Sequence, residues 1–331
     1  MKKYAVILLL TLLSTGFAQD GFPRTIIDGQ GREITLNAPP ERVIPYDNSN
    51  FGHLATLGVR PIAARVNPEM LGDPIYLPDG ADIPRPVVEG TRSELDLEQV
   101  ASYEPDLIMA WSLDDVAASE IFAPVYLPSR PTTLAGIQDE LRNVATMFGL
   151  EERAEEAITA FNDRVAAYAA VVEAGAAEVD VTRDMTTDMT IVQLAIRGDG
   201  RFYVGSQNDP TCQLLNLIIS CTWDNPAGDG WGYNTNIEGA LELDPDIIIL
   251  NSWAADAQGA RAEVQQDPLY AEFSAAQNGM VFSTPGYENP ISSNLPSAQK
   301  MLDTYLPLIF PELFPDGPLT DEQVQEILAS Q

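Results

Sequence analysis

Residues 97–111 read LEQVASYEPDLIMAW, and residues 237–251 read IEGALELDPDIIILN. The two stretches lie 140 residues apart, and in each a glutamate precedes a Pro-Asp pair by seven positions. Each reads as a short helix, a Pro-Asp turn that stops it, and a buried strand, because a continuous apolar run of this length bounded by turn residues marks a strand covered on both faces. Two copies of one helix–turn–strand unit imply two lobes of similar construction.

The sequence around the copies follows the same alternation. Before the first stand the apolar runs Arg42–Tyr46 and Pro61–Arg65, and after its Asp106–Trp111 strand comes Pro124–Leu127. Around the second stand Thr190–Ile196, Arg201–Val204, Asp246–Asn251 and Gly279–Ser283. Strands separated by helices predict parallel sheets with right-handed crossovers. Near the N-terminus RTIIDGQGREITL reads as a hairpin turning at Asp28–Gly31. Between Thr133 and Ala174 apolar residues recur at helical spacing, with a break at Gly149. The second piece, about 22 residues and so on the order of 33 Å long, is longer than a compact lobe needs and reads as a strut joining the lobes. The expected fold is α/β: two Rossmann-like lobes with parallel sheets joined by a long backbone helix. The expected bounds are 19–135 for the N-terminal lobe, 136–175 for the connecting helix, 176–313 for the C-terminal lobe and 314–331 for a tail ending in a short helix.

Composition narrows the function. The 331 residues carry 18 Lys+Arg against 49 Asp+Glu, a formal charge of −31, with one histidine and Lys2, Lys3 and Lys300 as the whole lysine complement. So acidic a chain lacks the cations that neutralise phosphates, which argues against a nucleic-acid partner. Residues 1–18 have a basic start, the apolar run Ala5–Leu13 and small residues before Ala18. That pattern predicts a secretory signal peptide, too short to span a bilayer, with cleavage after Ala18. No cysteine follows it, so the expected product is soluble and periplasmic with no lipid anchor. Cys212 and Cys221 are an even pair in an exported chain and are expected to form a disulfide.

Enzyme signatures are absent: there is no GxSxG, HExxH, Walker loop or GxGxxG after a strand. An exported two-lobed hydrolase or chelatase-like enzyme stays as the alternative, because a two-lobed α/β shape hosts many chemistries. A bare metal site is disfavoured, since His53 is the only imidazole and lies in an apolar helix, where a hydrogen-bonded structural role is expected. The stretch DNPAGDGWGYN lacks the ligand pattern of a calcium loop and reads as an irregular loop.

In open parallel sheets ligands bind outside the carboxyl ends of the strands. The cleft candidates are therefore residues just after strands: Tyr46, Arg65, Trp111 and Ser112 in the first lobe, and Arg197, Asn251, Ser252, Trp253 and Tyr287 in the second. Trp223, Trp231 and Tyr233 precede the second helix of the repeat and are placed on the same face. Aromatic rings offer large rigid contact area and arginines can bond oxygen atoms, so an aromatic-lined cleft is expected, with core packing the competing role for each tryptophan. A helix that runs antiparallel to its strand puts Glu98 and Glu238 near the cleft rim, one per lobe. An acid in a first helical turn is favourable by itself, so capping competes with docking there.

The pattern resembles the periplasmic binding proteins of ABC importers for iron-siderophores, haem and vitamin B12. The residues that carry the likeness are Ile27-Asp28…Gly31-Arg32-Glu33, Pro40-Glu41-Arg42-Val43, Leu57-Gly58-Val59 and both Glu…Pro-Asp repeats. To these add the strut, Asp267-Pro268-Leu269, Asn278-Gly279-Met280-Val281-Phe282 and Leu302-Asp303, so that the likeness covers 25 to about 310. It implies two lobes around one rigid helix and an iron chelate or related metal chelate as transported ligand. It also implies no permanently bound cofactor, no chemistry, and an ABC permease that receives one glutamate from each lobe at the positions of Glu98 and Glu238. A monomer is expected. The loop 212–236, with its cysteines and aromatics, departs from the family pattern, so ligand identity is not carried over.

Overall fold

The computed structural model describes residues 21–80, 82–87, 94–131, 133–178, 189–221, 223–228, 230–252, 256–283 and 293–330. The expected signal peptide, Trp253 and Tyr287 lie outside the described residues.

The chain opens with an antiparallel hairpin, β1 (Arg24–Ile27) and β2 (Glu33–Leu36), turning where the sequence indicates. The first lobe follows: β3 (Val43–Pro45), α1 (Asn48–Thr56), α2 (Pro68–Leu71), α3 (Leu97–Ser102), β4 (Leu107–Met109), α4 (Leu113–Ser119) and β5 (Val125–Tyr126). Its sheet is parallel in the order β3-β4-β5. The expected strand at Pro61–Arg65 is an irregular segment beside β3, donating from Ile62 and Arg65 to the carbonyls of Val43 and Pro45. Proline at its start removes a ladder donor, which accounts for the missing regularity.

Two helices join the lobes, α5 (Leu134–Phe148) and α6 (Glu151–Glu178). Gly149, at φ 70°, ends α5 in the left-handed cap that glycine adopts without penalty. At 28 residues α6 spans about 42 Å, longer than the sequence pattern indicates.

The second lobe comprises β6 (Ile191–Ile196), β7 (Phe202–Gly205), α7 (Pro210–Leu215), β8 (Gly232–Thr235), α8 (Ile237–Leu241), β9 (Ile247–Ser252), α9 (Ala257–Gln266), a 3₁₀ turn at Pro268–Glu272, α10 (Ser274–Gln277) and β10 (Val281–Phe282). Its sheet order is β10-β9-β6-β7-β8. Here the expectation of an all-parallel sheet is corrected: β10, β9 and β6 are parallel, but β7 runs antiparallel to β6 and β8 antiparallel to β7. Only the turn 197–201 separates β6 from β7, too short for a crossover, so the chain must double back. β8 also corrects the reading of DNPAGDGWGYN as wholly irregular; its glycine hid a short edge strand.

Finally α11 (Leu295–Ile309) and α12 (Asp321–Ala329) return along the molecule. α11 belongs to the second lobe by sequence, yet its N-terminus docks on the first. Ser49 donates to the Ser293 carbonyl at 3.0 Å, Tyr76 and Ser297 share a hydrogen bond of 2.7 Å, and Lys300 pairs with Asp73. Gly52 permits the crossing, since a Cβ there would lie 2.1 Å from the Asn294 side chain.

Alternate strand residues enter different cores. Leu107 and Met109 of β4, and Ile191 of β6, join one continuous core with α5, α6, α7 and α11; Ile108 and the pair Val192 and Leu194 enter separate cores on the outer faces. Both sheets are thus covered on both sides, as buried parallel strands require. The shared inner core ties the lobes to the strut.

Candidate functional site

The two repeat copies fold alike. Asp96 caps α3 by accepting from the Gln99 amide at 3.0 Å, and Asn236 caps α8 by accepting from the Gly239 amide at 3.0 Å. The residue before each proline takes a left-handed turn, Glu104 at φ 46° and Asp244 at φ 36°. A pre-proline residue is disfavoured in the helical region, so the helix closes there and the strand begins. The aspartate of each Pro-Asp pair then pins the start of the neighbouring strand. Asp106 accepts from the Glu41 and Arg42 amides before β3, both at 2.8 Å, and Asp246 accepts from the Thr190 amide before β6 at 2.9 Å. Glu98 and Glu238 occupy the same first-turn position, and both are exposed.

At the carboxyl edge of the first sheet, Trp111 follows β4 and is 42% exposed. Ser112 and Asp115 close a capping box on α4. Arg130 follows β5 and lays its guanidinium over the Trp111 ring, 3.9 Å from the centroid, while donating to the Trp111 carbonyl at 2.6 Å. Between Trp111–Leu113, Leu127–Arg130 and the hairpin residues Gly29 and Gln30 lies a hollow of about 410 Å³. The hairpin forms its side wall because the Gly29 amide donates to the Leu127 carbonyl at 2.8 Å, extending the sheet edge. Only glycine fits there, since a Cβ would stand 2.4 Å from the Ser129 nitrogen.

The other first-lobe candidates are placed inside. Tyr46 is 2% exposed and its hydroxyl meets Ser119 at 3.0 Å; burial pushes its ionisation upward. Arg65 grips the Asp115 carboxylate with bonds of 3.0 and 2.8 Å and donates to the Tyr46 carbonyl, locking the end of β3 to the start of α4. Tyr46 does follow β3, but the strand's alternation turns its ring into the outer core, while Arg65 ends a segment that is not a strand. His53 is also buried, with no hydrogen-bond partner for either ring nitrogen among the described residues, which corrects the expected hydrogen-bonded role. Burial lowers its pKa to about 4.

In the second lobe Arg197 opens the turn after β6, half-buried, its amide bonded to the Arg201 carbonyl. Asn251 and Ser252 end β9 at 1% and 4% exposure, so the pair matching Trp111-Ser112 is enclosed. Trp231 does not reach the carboxyl edge. It immediately precedes β8 and its carbonyl accepts from Ser206 beyond the end of β7, about 13 Å of strand below the α8 N-terminus. Trp223 lies lower still, its indole donating to the carbonyl of Ile191, the first residue of β6. Both were expected beside Glu238. The antiparallel β7–β8 return carries them to the far end, and an all-parallel reading could not foresee this. Cys212 and Cys221 form the expected disulfide, next to the fully buried Asp209, whose carboxyl accepts from Thr211 and Tyr203.

Arg130 is the site residue that sequence reading missed. It lies three residues past the Pro124–Leu127 run, just outside the window that yielded the other candidates. A second hollow, of about 310 Å³, lies between α6, α11 and α12. Its arginine, Arg164, is already paired with Asp303 and Asp321. Among the described residues no group of three His, Cys, Asp or Glu side chains could hold a metal ion, and no helix is long and apolar enough to cross a membrane.

A profile of the periplasmic binding protein family matches residues 43–288. The Fe(3+)-citrate-binding protein YfmC of Bacillus subtilis (strain 168) is 25% identical over 279 residues, 81% of this chain and 80% of that protein. The Fe(3+) dicitrate-binding periplasmic protein FecB of Escherichia coli (strain K12) is 25% identical over 286 residues, 83% of this chain and 85% of that protein. Among solved structures, a periplasmic solute binding protein from Mycobacterium smegmatis superposes with a TM-score of 0.66 at 18% identity, covering 87% of this chain and 98% of that one, which establishes the shared fold. With most of its length matched by the family profile and both lobes built on the family's plan, the chain belongs to the periplasmic binding protein family, whose members bind solutes rather than transform them.

Proposed function

We propose that this protein is the solute-binding component of an ABC importer, that it carries a ferric chelate, and that it presents Glu98 and Glu238 to the membrane permease. The observation that carries this reading is the hollow at the carboxyl edge of the first sheet. An exposed tryptophan and an arginine line it, and the first-turn glutamate of the repeat belongs to a helix that runs back from the same edge. The relatives support the cargo: the names of YfmC and FecB specify iron citrate complexes, and that of FhuD of Bacillus subtilis specifies an iron(3+) hydroxamate. The enzyme alternative finds no support in the family.

The mechanism requires no bond to change. The chelate docks at the strand ends, and the continuous inner core along α6 limits how far the lobes move. Charge-assisted contacts at the two glutamates seat the loaded protein on the permease, and separation of the lobes releases the cargo. On this reading residues 1–18 are a cleaved export signal and the mature chain is a monomer in the periplasm.

Tryptophan-fluorescence titration of the purified protein against ferric citrate, a ferric hydroxamate, a ferric catecholate, haem and cobalamin tests the cargo. Saturable one-to-one binding of a ferric chelate is expected, and binding of none refutes the reading. The double change Glu98→Arg, Glu238→Arg tests docking: uptake by cells should fall to background while affinity for the chelate stays within twofold. Surviving uptake contradicts the docking role.

A further inference from the structure

Charge accounting at the first-lobe edge selects among chelates. Arg65 is consumed by Asp115, and Arg32, beneath the hairpin turn, is consumed by Asp28. The anion-attracting start of α4 is likewise spent, because Asp115 accepts from the amides of Trp111 and Ser112. The other side chains with polar atoms around the hollow carry no charge: Ser129 gives its hydroxyl to Glu140, the Ser112 hydroxyl accepts from the Asp115 amide, and the Gln30 side chain donates to the Gly29 carbonyl. Arg130 differs. Among the described residues no carboxylate pairs with it, and its one hydrogen bond goes to the neutral carbonyl of Trp111. Stacking on the indole holds the guanidinium plane, so its remaining N–H groups form a fixed fork beside the hollow.

Resting on the function proposed above, we infer that Arg130 is the anion anchor of the site and that the cargo is a ferric chelate carrying uncoordinated carboxylates, rather than a neutral one. A planar fork matches a carboxylate bidentately, and such charge-assisted pairs are about twice as strong as neutral hydrogen bonds. Recognition by Arg130 must work against the protein's own field. The chain's formal charge is −31, and Asp114 is exposed on the same rim. Salt screens distant charges beyond about 8–10 Å but leaves a contact pair largely intact, so a single anchored guanidinium decides binding locally. A neutral chelate gains nothing from this arginine and offers no group for its fork.

The test is a fluorescence titration of wild type, Arg130→Gln and Arg130→Lys with ferric citrate and with ferrichrome, a neutral ferric trihydroxamate, with melting curves to establish folding. Arg130 is exposed, so the variants should melt with the wild type. Ferric citrate should bind wild type at least tenfold more tightly than ferrichrome. Arg130→Gln should lose at least tenfold for ferric citrate and leave ferrichrome unchanged, while Arg130→Lys, which keeps charge but not the fork, should fall between. Equal affinity of Arg130→Gln and wild type for ferric citrate overturns the inference, as does tighter binding of ferrichrome; in either case the solute-binding reading stands. If neither these chelates nor the wider panel binds wild type, the solute-binding reading falls and takes the inference with it.

Discussion

In the first copy of the repeated unit, β4 releases Trp111 to the surface under the guanidinium of Arg130; in the second, β9 ends on Asn251 and Ser252, both enclosed. Up to that point the copies share one backbone plan. Each helix has a side-chain cap and an exposed first-turn glutamate, each turn has a left-handed acid before proline, and each Pro-Asp carboxylate pins the strand next door. The shared part answers a folding problem, how to end a helix and start a buried strand within a few residues. The divergent part lies at the carboxyl ends of the strands. The repeated unit thus accounts for the scaffold, and function is to be sought where the copies stop matching.

A first way to break this comparison is to remove in turn the two arginines of the first lobe, Arg65 inside it and Arg130 on the rim of the hollow. Arg65→Ala leaves the nearly buried Asp115 carboxylate without its partner and should cost about 3–5 kcal/mol, read by urea unfolding. Arg130→Gln should change stability by less than about 0.5 kcal/mol. If the two substitutions cost the same, scaffold and ligand roles have been assigned to the wrong arginines.

A second sharpens the likeness between lobes. Asp47 caps α1 and Asp209 caps α7, both are buried, and burial raises each carboxyl from 3.8 to about 6. The folded chain therefore keeps protons that the unfolded chain sheds between about pH 3.8 and 6, so each group's contribution to stability declines across that window as pH rises. Asp47→Asn and Asp209→Asn keep a capping oxygen without the charge. Each should gain about 2–3 kcal/mol on wild type between pH 4 and pH 7, measured by unfolding at both pH values. A gain in one lobe alone would end the parallel.

The smallest effect separates the two turns. Glu104 makes no side-chain contact that its left-handed backbone must serve, whereas the Asp244 carboxylate accepts from the Ser274 amide and hydroxyl, both at 2.9 Å. Glu104→Gly should raise stability by about 0.5–1 kcal/mol by relieving the backbone, and Asp244→Gly should lower it. Equal shifts would show that the turns are interchangeable.

What the sequence made legible follows from what it encodes locally. The Pro-Asp repeat, the break at Gly149 and the hairpin turn rest on short-range constraints, and the structure shows all three. The return through β8 was not legible, because Gly-Tyr-Asn-Thr has no apolar alternation, and with it went the placement of Trp223 and Trp231. Tyr46 shows a second limit: strand ends are readable, but which face a terminal side chain takes depends on the sheet it joins. Arg130 shows a third, since its meaning arises from a ring contributed by another strand end.

The most direct test of the central claim is a crystal structure of the protein bound to ferric citrate. The account predicts the chelate at the carboxyl edge of the first sheet, against Trp111, with a carboxylate within hydrogen-bond distance of the Arg130 guanidinium. A chelate seated elsewhere, such as in the hollow between α6, α11 and α12, would contradict it.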